Sequence, residues 1–135
     1  MRIFVDTSAF LAVLDADDQN HPAVAQAWKD LVGEERELVT SSYVLVETFA
    51  LVQSRLGVEA VRALDQDLLP AVSVIWLEPE VHRAAVGALL TAGRRQLSLV
   101  DCASFEVMRR HGLTTALTLD SHFADQGFEV LPVAP

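Results

Sequence analysis

The chain has little positive charge. Ten lysines and arginines stand against nineteen aspartates and glutamates, a net charge of −9 at pH 7, and the pI is near 4.7. Binders of nucleic acid usually carry a basic footprint, and its scarcity here excludes tight, non-specific attachment to a phosphate backbone. Cysteine is almost missing. Cys102 stands alone, so no internal disulfide can form, which suits a reducing cytoplasm. No apolar run approaches the roughly 20 residues that span a bilayer, so no membrane partner is expected. Asp6 interrupts the N-terminal run before any long apolar stretch, which is not the pattern of a signal peptide. The lone cysteine and four histidines show no zinc-like spacing. Linkers, repeats and low-complexity segments are also missing. What is present is a hydrophobic fraction of 51% in 135 residues, enough for one compact domain over 1–135.

Periodicity predicts strands alternating with helices. Residues 2–6 read as a buried first strand and 7–16 as a short helix, followed by the acidic turn 15–18. A helix over 22–32 starts with Pro22 in its first turn, capped by Asp18 or Asn20. Residues 37–40 form a short strand. Ser41 or Ser42 then caps an apolar helix that ends near Gly57. Residues 58–69 form an amphipathic helix stopped by Pro70, and the β-branched run 72–77 a strand. Helices follow over 79–92 and 99–111, and strands over 116–119 and 128–131. Such alternation implies an α/β fold with a small, mainly parallel sheet flanked by helices.

Four acids stand out because their neighbours are apolar. Asp6 ends Ile3-Phe4-Val5, and Asp120 ends Ala116-Leu117-Thr118-Leu119. Glu47 interrupts the apolar helix, and Asp101 lies within Leu99-Val100-Asp101-Cys102. An isolated carboxylate is costly to bury and needs a donor, a cation or a proton. Each has a structural reading on its own. Asp6 can cap the next helix, Asp101 can complete a capping box begun by Ser98, and Asp120 can form an Asx turn. Glu47, in mid-helix, has no local need to be acidic. Taken together, two strand ends and a helix start can gather three carboxylates at the C-terminal edge of a parallel sheet, where ligands bind, with Glu47 reaching in from the side. Carboxylates alone suffice to hold Mg²⁺, and Mg²⁺ equips a site for phosphodiester hydrolysis.

These residues resemble a known family. Val5-Asp6-Thr7-Ser8, then Val46-Glu47-Thr48, then Ser98-Leu99-Val100-Asp101, then Leu119-Asp120-Ser121-His122 is similar to the PIN-domain ribonucleases, above all the small VapC-like toxins of toxin–antitoxin pairs. The resemblance covers Asp6 to Val130. It implies a three-layer α/β/α fold and cleavage of RNA with Mg²⁺ or Mn²⁺ held by the acids. It makes Asp6, Glu47 and Asp101 the core acids and Asp120 a more variable fourth. Ser8 or Thr7 would orient a carboxylate or water. A cognate antitoxin and a homodimer are the implied partners, and apolar faces of the helices over 44–56 and 58–69 agree with self-association.

Other residues carry less. Arg94 and Arg95 are candidates for RNA-phosphate contacts. Cys102 reads as a small core residue, His21 and His122 as loop or capping residues, and Trp28 and Trp76 as core or interface packing rather than base-stacking platforms. A haloacid-dehalogenase-type phosphatase needs Asp-x-Asp after its first strand, whereas here Ser8 follows Asp6-Thr7. A receiver-like signalling domain needs a lysine after a late strand, and the only lysine is Lys29. A non-toxin PIN nuclease that processes RNA remains open beside the toxin, and retention of all four acids argues against an inactive PIN scaffold.

Overall fold

The protein is described by a computed structural model over residues 1–133. Its elements run β1 (Arg2–Val5), α1 (Thr7–Leu14), α2 (His21–Gly33), β2 (Glu37–Ser41), α3 (Ser42–Leu56), α4 (Val58–Ala63), β3 (Val72–Ile75), α5 (Pro79–Ala92), α6 (Leu99–Arg110), β4 (Thr115–Leu117), α7 (His122–Asp125) and β5 (Glu129–Leu131). The strands form one sheet in the order β3-β2-β1-β4-β5. All four neighbouring pairs are parallel. This is the expected α/β architecture. Chain order runs one way from β1 through β2 to β3 and the other way through β4 to β5. The reversal falls between β1 and β4, and ligands bind at such a switch point.

The run Ile3-Phe4-Val5 does not alternate with polar residues because helices cover both faces of the sheet, and all three side chains are buried. An aromatic cluster sets the geometry near β4. Phe123 of α7 packs edge-on against Phe105 of α6, with ring centroids 5.0 Å apart, and lies 6.3 Å from Phe4 of β1. Each such pair contributes on the order of 1 kcal/mol beyond the area it buries. The consequence is positional: Phe105 lies one helical turn after Asp101, and Phe123 directly follows His122, so the cluster fixes α6 against α7.

Several boundaries differ from expectation. The first helix stops at Leu14, where Asp15 N–H still bonds back to the Leu11 carbonyl. Neither Asp18 nor Asn20 caps α2 with its side chain; Asp18 Oδ1 accepts from Asn20 N at 2.7 Å instead. The amphipathic helix expected over 58–69 is α4 followed by a π-helical turn, Leu64–Leu68, and a 3₁₀ turn, Leu69–Ala71. The wider turn keeps both Leu64 and Leu68 buried. Two details match the sequence reading: Ser41 Oγ caps α3 by accepting from Val44 N at 3.2 Å, and Gly57 ends the helix at φ +93°, a backbone that side-chain-bearing residues rarely adopt.

Candidate active site

Asp6 follows β1 and occupies the N-cap position of α1, but its side chain makes no capping bond. It turns instead to two hydroxyls. Ser8 Oγ and Thr118 Oγ1 both donate to Asp6 Oδ2, each at 2.9 Å. Neither hydroxyl is spent on Oδ1. Thr118 also accepts from Asp120 N at 2.9 Å, and Ser8 accepts from Leu119 N at 2.9 Å. One network thus ties the end of β1 to the end of β4. Asp6 is only 5% exposed. Burial is the main reason its carboxyl is pushed up to about 6; the hydroxyls oppose the rise, and the Asp101 charge adds to it.

Asp101 sits in the first turn of α6 and completes the capping box expected from Ser98. Ser98 Oγ accepts from Asp101 N, and Asp101 Oδ2 accepts from Ser98 N, both at 3.0 Å. Its carboxyl is also held above the usual range, first by burial and further by the nearby Asp120 charge, with bonds from Ser98 opposing. Asp120 makes the Asx turn: its Oδ1 accepts from His122 N at 2.9 Å. The structural readings of Asp101 and Asp120 are therefore both realised, and they leave capacity to spare. Each carboxylate has one oxygen anchored locally and a second without an assigned donor.

The unexpected member is His122. Ligand atoms of Asp101, Asp120 and His122 all lie within 4.8 Å of one another. His122 Nδ1 is 2.9 Å from Asp120 Oδ1, yet the angles are not those of a hydrogen bond, and this buried nitrogen has no hydrogen-bond partner. This nitrogen and the two carboxylates are close enough to share one cation. The two carboxylates suit Mg²⁺ or Mn²⁺, and an imidazole added to them favours Mn²⁺ over Mg²⁺. The residues present therefore fit the metal that the fold implies.

Sequence reasoning assigned His122 a loop or capping role, whereas the structure places it in the cluster. It also passed over Thr118, the hydroxyl between Asp6 and Asp120. The available signal was local: a histidine two residues after an Asx-turn aspartate is carried back toward that carboxylate.

Glu47 is half-buried on α3 and stands outside the group formed by Asp101, Asp120 and His122. The next residue, Thr48, is fully buried and donates to Thr7 Oγ1 at 3.1 Å, which seats this part of α3 against the start of α1. Arg94 and Arg95 are exposed in the α5–α6 connection, ahead of the Ser98 cap. Cys102 is buried, as expected, and burial raises its thiol. Trp28 is core, and Trp76 is 67% exposed, which leaves interface packing of the two roles expected for it. A cavity of about 650 Å³ lies elsewhere. It is lined by Met1 and Ile3 at the start of β1 and Thr115 at the start of β4, the opposite end of these strands from the acids.

The profile of the PIN domain matches residues 3–129. The chain is 35% identical over 132 residues to the 23S rRNA-specific endonuclease VapC20 of Mycobacterium tuberculosis, covering 96% of this chain and 98% of that one. It is 30% identical over 130 residues to Ribonuclease VapC26 of the same species, covering 90% of each. The crystal structure of M. tuberculosis VapC20, described as a sarcin–ricin loop cleaving toxin, superposes with a TM-score of 0.82 at 33% identity. It covers 98% of this chain and 99% of that one.

Proposed function

The chain belongs to the PIN-domain family, and on that premise we propose that it is a divalent-metal-dependent endoribonuclease, the toxin of a toxin–antitoxin pair, working as one domain over 1–135 in the cytoplasm. The observation that carries this reading is the group formed by Asp101, Asp120 and the partnerless His122 Nδ1, joined to Asp6 through Thr118. The near-full-length likeness to a 23S rRNA-specific endonuclease makes a structured ribosomal loop the first substrate to try.

Asp101, Asp120 and His122 would hold Mg²⁺ or Mn²⁺, with Asp6 completing the site and Glu47 reaching it from α3. When bound, such an ion supplies Lewis acidity toward the phosphodiester and an activated water. The chain's own residues do the rest. Ser8 and Thr118 hold Asp6 Oδ2, which fixes the orientation of this carboxylate at the end of β1. Ser98 and the Asx turn fix the orientation of Asp101 and Asp120, so little ordering remains to be done when substrate binds. Arg94 and Arg95, exposed before α6, are proposed to contact flanking phosphates.

The protein partner proposed is a cognate antitoxin. A homodimer is proposed through the exposed Val46 and Val58 of α3 and α4; sedimentation only at the 14.8 kDa monomer mass would remove it. Among the described residues no helix is long and apolar enough to cross a membrane.

The test is direct. Antitoxin-free protein is incubated with a sarcin–ricin hairpin RNA and Mg²⁺ or Mn²⁺. Site-specific cleavage is expected, abolished by EDTA and reduced at least ~100-fold in Asp101→Asn. Cleavage that survives complete chelation, or an unimpaired Asp101→Asn, contradicts the proposal.

A further inference from the structure

The sheet edge that carries the acids does not end at β1. In the parallel register Thr40 pairs with Val74 and Ser41 with Ile75, while Phe4 pairs with Val39. Two steps further along β1, Asp6 is level with Ser41 and Ile75. Trp76 is the next residue after that row. Two strand spacings, on the order of 10 Å, therefore separate the end of β1 at Asp6 from the end of β3 ahead of Trp76. Trp76 is 67% exposed at this edge, although indole surface is costly to leave in water.

The segment bearing Trp76 is held in place. Leu77 N donates to Ser42 Oγ at 3.0 Å, which ties it to the first turn of α3. The next residue of that turn, Tyr43, packs edge-on against His82 of α5 with ring centroids 5.8 Å apart, and its hydroxyl meets His82 Nδ1. Tyr43 also lies one helical turn before Glu47, and residues so spaced share a helix face. The ends of β2 and β3 thus continue the acidic edge, and Trp76 is exposed just past the last of them.

We propose that Trp76 is a nucleobase subsite: it stacks an unpaired base of the RNA one or two nucleotides from the cleaved phosphate. This rests on the ribonuclease reading above and extends it from the reacting phosphate to substrate recognition. Charge gives the physical motive. A chain of net charge −9 gains little from phosphate neutralisation, so affinity must come from contacts that do not depend on charge. Stacking on aromatic rings is such a contact, and unpaired bases in RNA loops are its usual partners. Placement decides against a purely structural role: a ring packed for stability is buried, whereas this one is exposed on a tethered segment along the catalytic edge.

The test uses the fact that the chain has two tryptophans and Trp28 is buried. In EDTA, so that nothing is cleaved, a single-stranded oligoadenylate should quench the exposed-tryptophan emission. An abasic oligomer of the same charge should not. With metal and the sarcin–ricin hairpin, Trp76→Ala should raise KM roughly tenfold with kcat little changed, and Trp76→Phe should recover most of the loss. Circular dichroism and sedimentation of both variants should match wild type. Equal quenching by the abasic oligomer overturns the subsite, as does an unchanged KM in Trp76→Ala. A Trp76→Ala protein that turns from dimer to monomer with unaltered RNA binding assigns the residue to contact between copies and also overturns it. Base-dependent quenching without cleavage by wild type supports the subsite and sinks the nuclease reading, so the two failures are distinguishable.

Discussion

At the scale of single residues, Asp6 is where burial, hydrogen bonding and chemistry meet. In the unfolded chain its carboxyl titrates near 3.8, and in the folded protein at about 6. Below the lower value both states are protonated. Between the two values the folded state keeps a proton that the unfolded state has lost. Stability is therefore present at acid pH and declines as pH rises through this window, by on the order of 3 kcal/mol in total. Asp101 is shifted the same way and adds to the trend. Asp6→Asn keeps an oxygen to accept from Ser8 and Thr118 but has nothing to titrate. In EDTA, the stability advantage of Asp6→Asn over wild type should grow from pH 4.5 to pH 7.5, measured by denaturant melts. A gap that does not change with pH would show that burial of this carboxylate costs nothing. Asp6, Asp101 and Asp120 were legible in the sequence because an acid among apolar residues is conspicuous. His122 and Thr118 were not, since a histidine or threonine in a turn looks ordinary until the turn brings it round. Trp76 was open between core and interface packing, and its exposure at the sheet edge leaves the core reading to Trp28 alone.

At the scale of elements, the capping box of α6 serves both folding and site geometry. Ser98 Oγ satisfies the Asp101 N–H, and the Asp101 carboxylate returns the bond to the Ser98 N–H. Ser98→Ala should cost about 1 kcal/mol, seen as a melting temperature lower by a few degrees, and Ser98→Thr should restore most of it. A melting temperature that does not move would mean the cap contributes nothing. The elements themselves were largely legible. β-Branched and apolar runs marked the strands, and Ser41, Ser98, Gly57 and Pro79 marked helix ends. The break after α4 was not, because Leu64 and Leu68 keep a helical spacing through the π-turn that interrupts it. Nor was the four-residue α7, which is too short to show a period and is held by Phe123 packing on Phe105 and Phe4.

At the scale of the whole molecule, the parallel sheet reverses its chain order between β1 and β4. The ends of those strands bring together residues more than a hundred positions apart, as the Thr118–Asp6 bond records. The aromatic cluster of Phe4, Phe105 and Phe123 then holds α6 and α7 so that Asp101 meets Asp120 and His122. Alternation of strands and helices conveyed the fold class, and the strand-end acids conveyed the edge. The register that aligns Asp6 with Ile75 required the structure. The central claim is that this edge is a metal site. Anomalous diffraction from Mn²⁺-soaked crystals of the antitoxin-free protein tests it most directly. The account predicts a peak within coordinating distance of Asp101, Asp120 and His122 Nδ1, lost in Asp120→Asn. No peak at this edge at millimolar Mn²⁺, or one that Asp120→Asn leaves unchanged, would contradict it.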